Sequence, residues 1–205
     1  MHPNPAFRKT PEDRNLAFAR ERGFGALVVN GAEEPLVAHV PFVLSAGGLL
    51  LEAHLLRSNP VWAAIDAPRP AKMIVSGPDG YISPDWYEVP DQVPTWNYVA
   101  VHLAGTLRRS PQARLEPHSA ELSAEFEERL LPKTPWTLEK MDRGVLERMQ
   151  RMIVPVALDI ARVDGTWKLN QNKPDEVRLR AAERVEASSG QELAALADLM
   201  RSPPE

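Results

Sequence analysis

The sequence predicts a small antiparallel β-barrel decorated by helices, and therefore an α+β protein, with a β-sandwich as the competing architecture. Its 205 residues are 43% hydrophobic and 25% charged, which is typical of a globular protein with a sizeable core. Six or seven short apolar segments are separated by turn residues, and two helical patterns are inserted late between them. We expect a barrel because closing such a sheet removes its exposed edges.

The N-terminal part of the chain is predicted to be one helix followed by a meander of strands. Thr10 and Pro11 have the residue types of a helix N-cap and first turn, and this helix is expected to end near Gly23. The rapid succession of strand, turn and strand that follows predicts antiparallel pairing. The strands of this meander are expected at residues 24–29, 36–44 and 49–55.

The middle of the chain combines short elements with one long strand. Ser58-Asn59-Pro60 predicts the start of a short helix, because proline is accepted in the first helical turn. A strand at residues 72–76 is expected to be broken by Gly77-Pro78, and residues 81–94 are expected to be irregular. Residues 97–107 alternate between two faces, which predicts a strand.

The helical patterns come next, followed by a return to strand. Apolar residues at helical spacing run from Leu115 to Leu130 and from Leu138 to Met152, so we interpret residues 112–152 as a helical insertion. Alternation resumes at residues 154–160, and Asp164-Gly165 is expected to form a two-residue hairpin turn.

The C-terminal part is expected to add two helices. Pro174 is placed to start the first, and Ser189 to Glu192 fits a capping box before the second. The patterns together predict a single barrel domain at residues 1–187, with residues 188–205 as a C-terminal helix and tail.

Composition excludes several classes of function. The formal net charge is -4, so the surface as a whole is not built to attract nucleic acid. The chain has no cysteine, which removes thiolate catalysis and disulfides and fits the cytoplasm in which we expect this protein. No apolar run approaches the roughly 20 residues of a membrane span. Phosphate-loop, dinucleotide-fold and serine-hydrolase motifs are absent as well.

Two groups of polar residues that precede prolines are candidates for binding an anion. The groups are Arg57, Ser58 and Asn59 before Pro60, and Gln171, Asn172 and Lys173 before Pro174. A helix N-terminus offers free backbone amides, and a cation beside it suits a phosphate. Each group also fits a helix cap in a solvated loop, so the residues alone leave both interpretations open.

The aromatic residues are unevenly spread along the chain. All three tyrosines and three of the five tryptophans lie between residues 62 and 98. A flat heteroaromatic ligand needs apolar walls with a few polar groups at its edge, and Thr95, Trp96 and Asn97 supply both. Tryptophans also pack cores and dimer interfaces, which is the alternative interpretation. The five histidines lack the spacing of a metal site, so no metal is expected.

Several runs of residues are specific enough to suggest a family. The most specific are Pro94-Thr95-Trp96-Asn97-Tyr98 and Lys168-Leu169-Asn170-Gln171-Asn172-Lys173, supported by Ala38-His39-Val40-Pro41 and Asn59-Pro60-Val61-Trp62. In this order they resemble the FMN-binding negative transcriptional regulator family, also called the PaiB family, over roughly residues 1 to 180. The chain departs from the family at Asn170, where serine is common.

The resemblance implies a split β-barrel in which two subunits pack together and hold flavin mononucleotide (FMN) in the groove between them. One subunit would hold the phosphate from its strands and the loop after them, and its partner would add residues near the C-terminal strand. The implied contacts are His39, Val40, Pro41, Ala53, His54, Arg57, Ser58 and Asn59 from the first subunit, and Gln171, Asn172 and Lys173 from the second.

The resemblance also implies a negative regulator of transcription that works as a homodimer, and the composition adds the expectation of a cytoplasmic protein without membrane contact. No clear helix-turn-helix is visible, and Arg143, Arg148 and Arg151 are balanced by acidic residues on the same predicted helix. DNA contact is therefore expected to be weak or indirect. The alternative function is a flavin-dependent oxidoreductase of a small molecule. A further alternative is a haem-binding split-barrel protein with a strand histidine as iron ligand.

Overall fold

The computed structural model describes residues 2–204. The helices are α1 (Glu12–Arg22), α2 (Pro60–Ala64), α3 (Leu115–Glu128), α4 (Arg143–Gln150), α5 (Asp175–Arg184) and α6 (Leu193–Arg201). The strands are β1 (Phe24–Asn30), β2 (Pro35–Leu44), β3 (Leu50–Leu56), β4 (Arg69–Ile82), β5 (Thr95–Arg109), β6 (Ile153–Lys168) and β7 (Gly190–Gln191).

The strands form one seven-stranded sheet whose pairing closes on itself. Their order is β1-β2-β3-β6-β5-β4-β7, and β1 pairs with β4 as well as with β2. The additional pairing is antiparallel, from Ala26 opposite Ile74 to Val29 opposite Ala71, and it closes six strands into a ring. The pairs β1–β2, β2–β3 and β3–β6 are antiparallel too. The predicted antiparallel barrel with helical decoration is therefore confirmed over a sandwich.

Alternation along the strands places the core where the sequence pattern predicted it. In β5, Val99, Val101 and Leu103 are almost completely buried, whereas the residues between them are half-buried. The same alternation buries Leu27 and Val29 in β1. Each strand thus contributes one apolar face to the interior, as expected for a half-buried strand.

The chain divides into two compact units, each built from separate stretches of sequence. Unit 1 comprises residues 2–18, 75–102 and 163–204, and unit 2 comprises residues 19–74 and 103–162. Within unit 1, α6 buries Leu196 and Met200, so the segment after residue 187 packs as part of that unit.

Two strands run through positions where the sequence predicted an interruption or a turn. β4 continues through Gly77-Pro78, and β6 continues through Asp164-Gly165, so the predicted break and hairpin are wrong. Both glycines are required by packing. A Cβ at Gly77 would lie 2.6 Å from Cζ of Phe18, and one at Gly165 would lie 2.0 Å from Oδ1 of Asn15.

Two helix predictions were also only partly correct. Leu138 to Met152 is not one helix, because α4 begins only after Asp142, whose Oδ1 accepts a hydrogen bond from the amide of Val145 at 3.0 Å. The predicted capping box at Ser189 to Glu192 does not form. Glu192 precedes α6 in a left-handed conformation without a side-chain cap, because Gly190-Gln191 pairs with β4 as β7.

Candidate functional site

The predicted contacts on β2 and β3 do not share one face of the sheet. On β2, His39 is exposed and Pro41 is half-buried, whereas Val40 between them points into the core. On β3, Ala53 is completely buried and His54 is half-buried on the opposite face. The side chains of Val40 and Ala53 therefore pack in the barrel interior. Among the predicted contacts on β2, His39 and Pro41 face outward.

His39 and Pro41 belong to an exposed, mostly apolar face of unit 2. In the β1–β2 register, Phe24 lies opposite Pro41, Ala26 opposite His39, and Val28 opposite Val37. Cross-strand partners project to the same side of a sheet, so these residues form one continuous surface, here called the outer β1–β2 face. Phe24 is 53% exposed and stacks on His39 with a centroid distance of 6.4 Å, and Val37 is 52% exposed.

The loop before α2 has the predicted cap, but the amides of the first helical turn are already used. Asn59 caps α2 through Oδ1, which accepts from the amide of Val61 at 2.9 Å, and its carbonyl accepts from the amide of Trp62 at 3.0 Å. The Arg57 guanidinium donates to the carbonyl of Arg151 at 3.1 Å. The expected display of bare amides at α2 is therefore wrong, and an anion would meet only the exposed side chains of Arg57 and Ser58 there.

His54 is paired with a histidine that sequence reasoning did not select. Its Nδ1 lies 3.2 Å from Nε2 of His118 on α3, and the rings meet edge to face. His118 is fully buried, and burial together with the nearby His54 lowers its pKa to about 4. Burial also lowers the pKa of His54. The sequence feature that could have identified His118 is its position three residues after Leu115, which places both on the buried side of α3.

An ion-pair network lies next to the histidine pair in unit 2. Glu52, two residues before His54 on β3, accepts from Arg114 at 2.8 and 2.7 Å, and Arg114 also pairs with Glu121 of α3. The hydrogen bond from Arg114 is the main cause that lowers the pKa of Glu52. The network fixes α3 against β3 and holds a carboxylate near His118.

In unit 1, Thr95 and Trp96 lie beside a lysine that sequence reasoning had not placed in the site. The Lys168 ammonium at the end of β6 donates to Oγ1 of Thr95 and, at 2.7 Å, to the carbonyl of Trp96. The indole of Trp96 is 48% exposed and meets Tyr81 edge to face, with a centroid distance of 6.4 Å. Asn97 is different: it is completely buried, and neither polar atom of its side chain has a hydrogen-bond partner.

The three residues Gln171, Asn172 and Lys173 have different environments in the structure. Gln171 folds back on its own chain, accepting from the amide of Leu169 at 2.8 Å and donating to the carbonyl of Trp167. Asn172 is exposed. The Lys173 ammonium donates to Oε1 of Gln92 at 2.5 Å and lies 4.2 Å from the centroid of the Tyr87 ring.

Asn170, the departure from the family pattern, has a structural role. It is buried with a φ of 63°, a left-handed conformation that asparagine tolerates better than most residues. Its Oδ1 accepts a hydrogen bond from the Tyr87 hydroxyl at 3.4 Å. The turn that leads to Lys173 is thus anchored from within unit 1.

Residues 2–204 show neither a metal-binding cluster nor a membrane-spanning helix. No group of three or more histidine, cysteine, aspartate or glutamate side chains is arranged to hold a metal ion in this part of the chain. None of the helices described there is both long and apolar enough to cross a lipid bilayer.

The residues of unit 1 fit the chemistry of the FMN implied by the sequence motifs. A phosphate monoester needs cations that carboxylates do not already neutralise, and Lys168 and Lys173 donate to neutral oxygens instead. An isoalloxazine ring needs a flat apolar wall, and the exposed indole of Trp96 offers one.

Comparison with known proteins identifies the family. A family model described as "Putative FMN-binding domain" matches residues 1–162. The protease synthase and sporulation protein PAI 2 of Bacillus subtilis (strain 168) is 25% identical over 196 residues, which cover 95% of this chain and 93% of that protein.

Solved structures of two other proteins share the fold. The FAD and haem binding protein from Mycobacterium smegmatis superposes with a TM-score of 0.58 at 16% identity, covering 83% of this chain and 78% of that one. A flavocytochrome from Azotobacter vinelandii also gives a TM-score of 0.58, at 14% identity, covering 82% of this chain and 72% of that one. Identities this low show a common fold and nothing finer.

The family match spans most of the sequence and agrees with the motifs, the antiparallel barrel and the flavin-compatible residues of unit 1. The resemblance inferred from the motifs is therefore confirmed. This chain belongs to the FMN-binding domain family, has the split β-barrel fold, and uses FMN as its cofactor.

Proposed function

We propose that the protein is a negative regulator of transcription that holds FMN in a groove between two copies of the chain. The observation that carries this proposal is the outer β1–β2 face. Phe24 and Val37 are more than half exposed on it, and His39, a predicted flavin contact, lies between them. A second copy covering this face would remove apolar area from water, which is the main driving force of association.

Each copy would supply half of every flavin site. One copy would contribute His39 and Pro41 from the outer β1–β2 face, together with Arg57 and Ser58. The partner copy would contribute Thr95, Trp96 and Lys173. The protein would orient the flavin and set its electrostatic environment, and the flavin itself would supply any redox chemistry.

The regulatory part of the proposal is supported by the long alignment with a protein named for protease synthesis and sporulation. Direct binding of DNA by this protein has little physical support. Arg143 on α4 pairs with Glu116 at 2.8 Å and with Glu147 at 3.1 Å, so part of the positive charge of this helix is already neutralised. We therefore propose weak or indirect DNA contact, and a cytoplasmic location for this cysteine-free chain.

The test is Val37→Glu, which places a carboxylate in the centre of the outer β1–β2 face. Burying an unpaired charge in a dimer interface is expected to weaken dimerisation and FMN binding by at least about 100-fold each. Gel filtration and a flavin fluorescence titration measure the two effects. The matched control is Leu49→Glu, because Leu49 is 71% exposed in the turn before β3 and lies off this face.

The same variant tests regulation in cells. Deleting the gene should raise a defined set of transcripts, which the wild-type gene and Leu49→Glu lower again and Val37→Glu does not. A dimeric, flavin-loaded Val37→Glu protein would rule out this face as the interface. If no transcript responds and the yellow protein oxidises NADPH with an acceptor, the oxidoreductase function replaces the regulatory one. A Soret band in the purified protein would favour the haem-binding alternative.

A further inference from the structure

Two ammonium groups of unit 1 donate to the same short segment, residues 92–96, and neither has an acidic partner among residues 2–204. Lys168 ends β6, and Lys173 lies in the turn before α5. Their hydrogen bonds go to neutral acceptors: the hydroxyl of Thr95 and carbonyl of Trp96 for Lys168, and the side-chain amide of Gln92 for Lys173. Within residues 2–204, no carboxylate forms an ion pair with either lysine.

The proximity of these charges has an energetic consequence. Burial lowers the pKa of Lys168, and the positive charge of Lys173 lowers it further. The first turn of α5 is acidic, but its Asp175 pairs with Arg178 at 2.9 Å and not with a lysine. Two like charges held together in a partly buried position are unfavourable until an anion joins them.

The other residues predicted to contact the phosphate leave few hydrogen-bond donors free for it. The guanidinium of Arg57 already donates to the carbonyl of Arg151, and the amides of Val61 and Trp62 are taken by Asn59. The side chain of Asn172 is exposed, and that of Gln171 is bonded to its own backbone. Among the predicted flavin contacts of unit 1 and their hydrogen-bonded neighbours, the ammonium groups available to a dianion are those of Lys168 and Lys173.

We propose that Lys168 and Lys173 form a clamp for the phosphate monoester of FMN, with Lys168 as a binding residue beyond the contacts that the family resemblance implies. The proposal rests on the proposed function, because it assigns one part of the flavin site. Each lysine would exchange repulsion by its neighbour for a charge-assisted hydrogen bond to a phosphate oxygen. Thr95, Trp96 and Gln92 would position the ammonium groups through the hydrogen bonds they already accept.

The clamp predicts that the protein distinguishes FMN from riboflavin, which has the same ring system but no phosphate. Wild-type protein should bind FMN at least about 100-fold more tightly than riboflavin, because two charge-assisted bonds are lost with the phosphate. Lys168→Met should lower FMN affinity about 10- to 100-fold and leave riboflavin affinity within about twofold. Inorganic phosphate should compete with FMN in the wild type and much less in the variant.

Further variants keep the test decisive if Lys168→Met folds poorly. Lys168→Arg retains the charge and should keep most of the preference for FMN, and Lys173→Met should lose it as Lys168→Met does. Lys9→Met, which removes an exposed lysine elsewhere in unit 1, is the control. Circular dichroism and thermal unfolding of each variant establish that it is folded.

The outcomes separate the clamp from the function on which it rests. If neither flavin binds the wild type, the proposed function itself fails. If the wild type prefers FMN and both methionine variants keep the same ratio of FMN to riboflavin affinity, the phosphate lies elsewhere and the clamp is wrong. Equal binding of both flavins by the wild type would also overturn it.

Discussion

At the scale of single residues, the histidine pair shows what burial does to a titratable group. His118 is fully buried against His54, and its pKa is lowered to about 4 from the usual 6.5 by burial first and by the neighbouring imidazole second. A group whose pKa is lower in the folded state stabilises the fold above its unfolded pKa. That contribution is lost as the pH falls from about 6.5 toward 4.

We therefore expect the free energy of unfolding to fall by about 2 kcal/mol between about pH 7 and pH 5, a range above the titration of most carboxylates. His118→Phe keeps an aromatic ring in the buried position and removes the titrating group, so its stability should change by less than half as much over this range. Urea unfolding at several pH values measures both. An identical pH dependence in the two proteins would mean that His118 is not the responsible group.

The candidate site was predictable at some residues and not at others. Arg57, Asn59 and Lys173 could be selected because each precedes or caps a proline-started helix, and that signal is local. Lys168 was missed because its partners, Thr95 and Trp96, are more than 70 positions away in sequence. Asn97 was selected with Trp96, yet adjacent strand residues point to opposite faces and the structure buries it.

At the scale of secondary structure, local signals predicted where most elements begin, and tertiary packing decided how far some of them continue. α1, the first three strands and the cap of α2 match the sequence prediction closely. β4 and β6 run through their glycines because those glycines make room for Phe18 and Asn15, side chains distant in sequence. Turn residues carry no information about such contacts, so the sequence alone could not distinguish a turn from a close approach.

Gly105 on β5 tests this interpretation of strand glycines. A Cβ there would lie 1.9 Å from the carbonyl oxygen of Asp159 on β6, which is backbone and cannot move aside easily. Gly105→Ala should therefore lower the free energy of unfolding by about 2–3 kcal/mol. Gly47→Ala is the control, because no atom lies within 4 Å of a Cβ at that turn, and it should change stability by less than about 0.5 kcal/mol. Equal effects of the two substitutions in urea unfolding would refute the close-approach argument.

At the scale of the whole molecule, the proposed assembly explains why the outer β1–β2 face is apolar and exposed in one chain. Pairing with a second copy would bury the exposed apolar area of this face. Flavin contacts from both copies would make the cofactor part of the dimer interface. FMN binding would then stabilise one particular dimer, which is how a bound flavin can control a regulator.

If each FMN is held by residues from two copies, a mixed dimer built from two complementary variants should bind flavin at one of its grooves. One copy would carry Lys173→Met, and the other His39→Ala with Arg57→Gln, each with its own affinity tag so that the heterodimer can be purified. Both parent homodimers should bind FMN weakly, while the heterodimer should regain one site of wild-type affinity, because one of its grooves combines the two intact halves. A heterodimer that binds FMN as weakly as both parents in a flavin titration would show that the site is not shared between two copies.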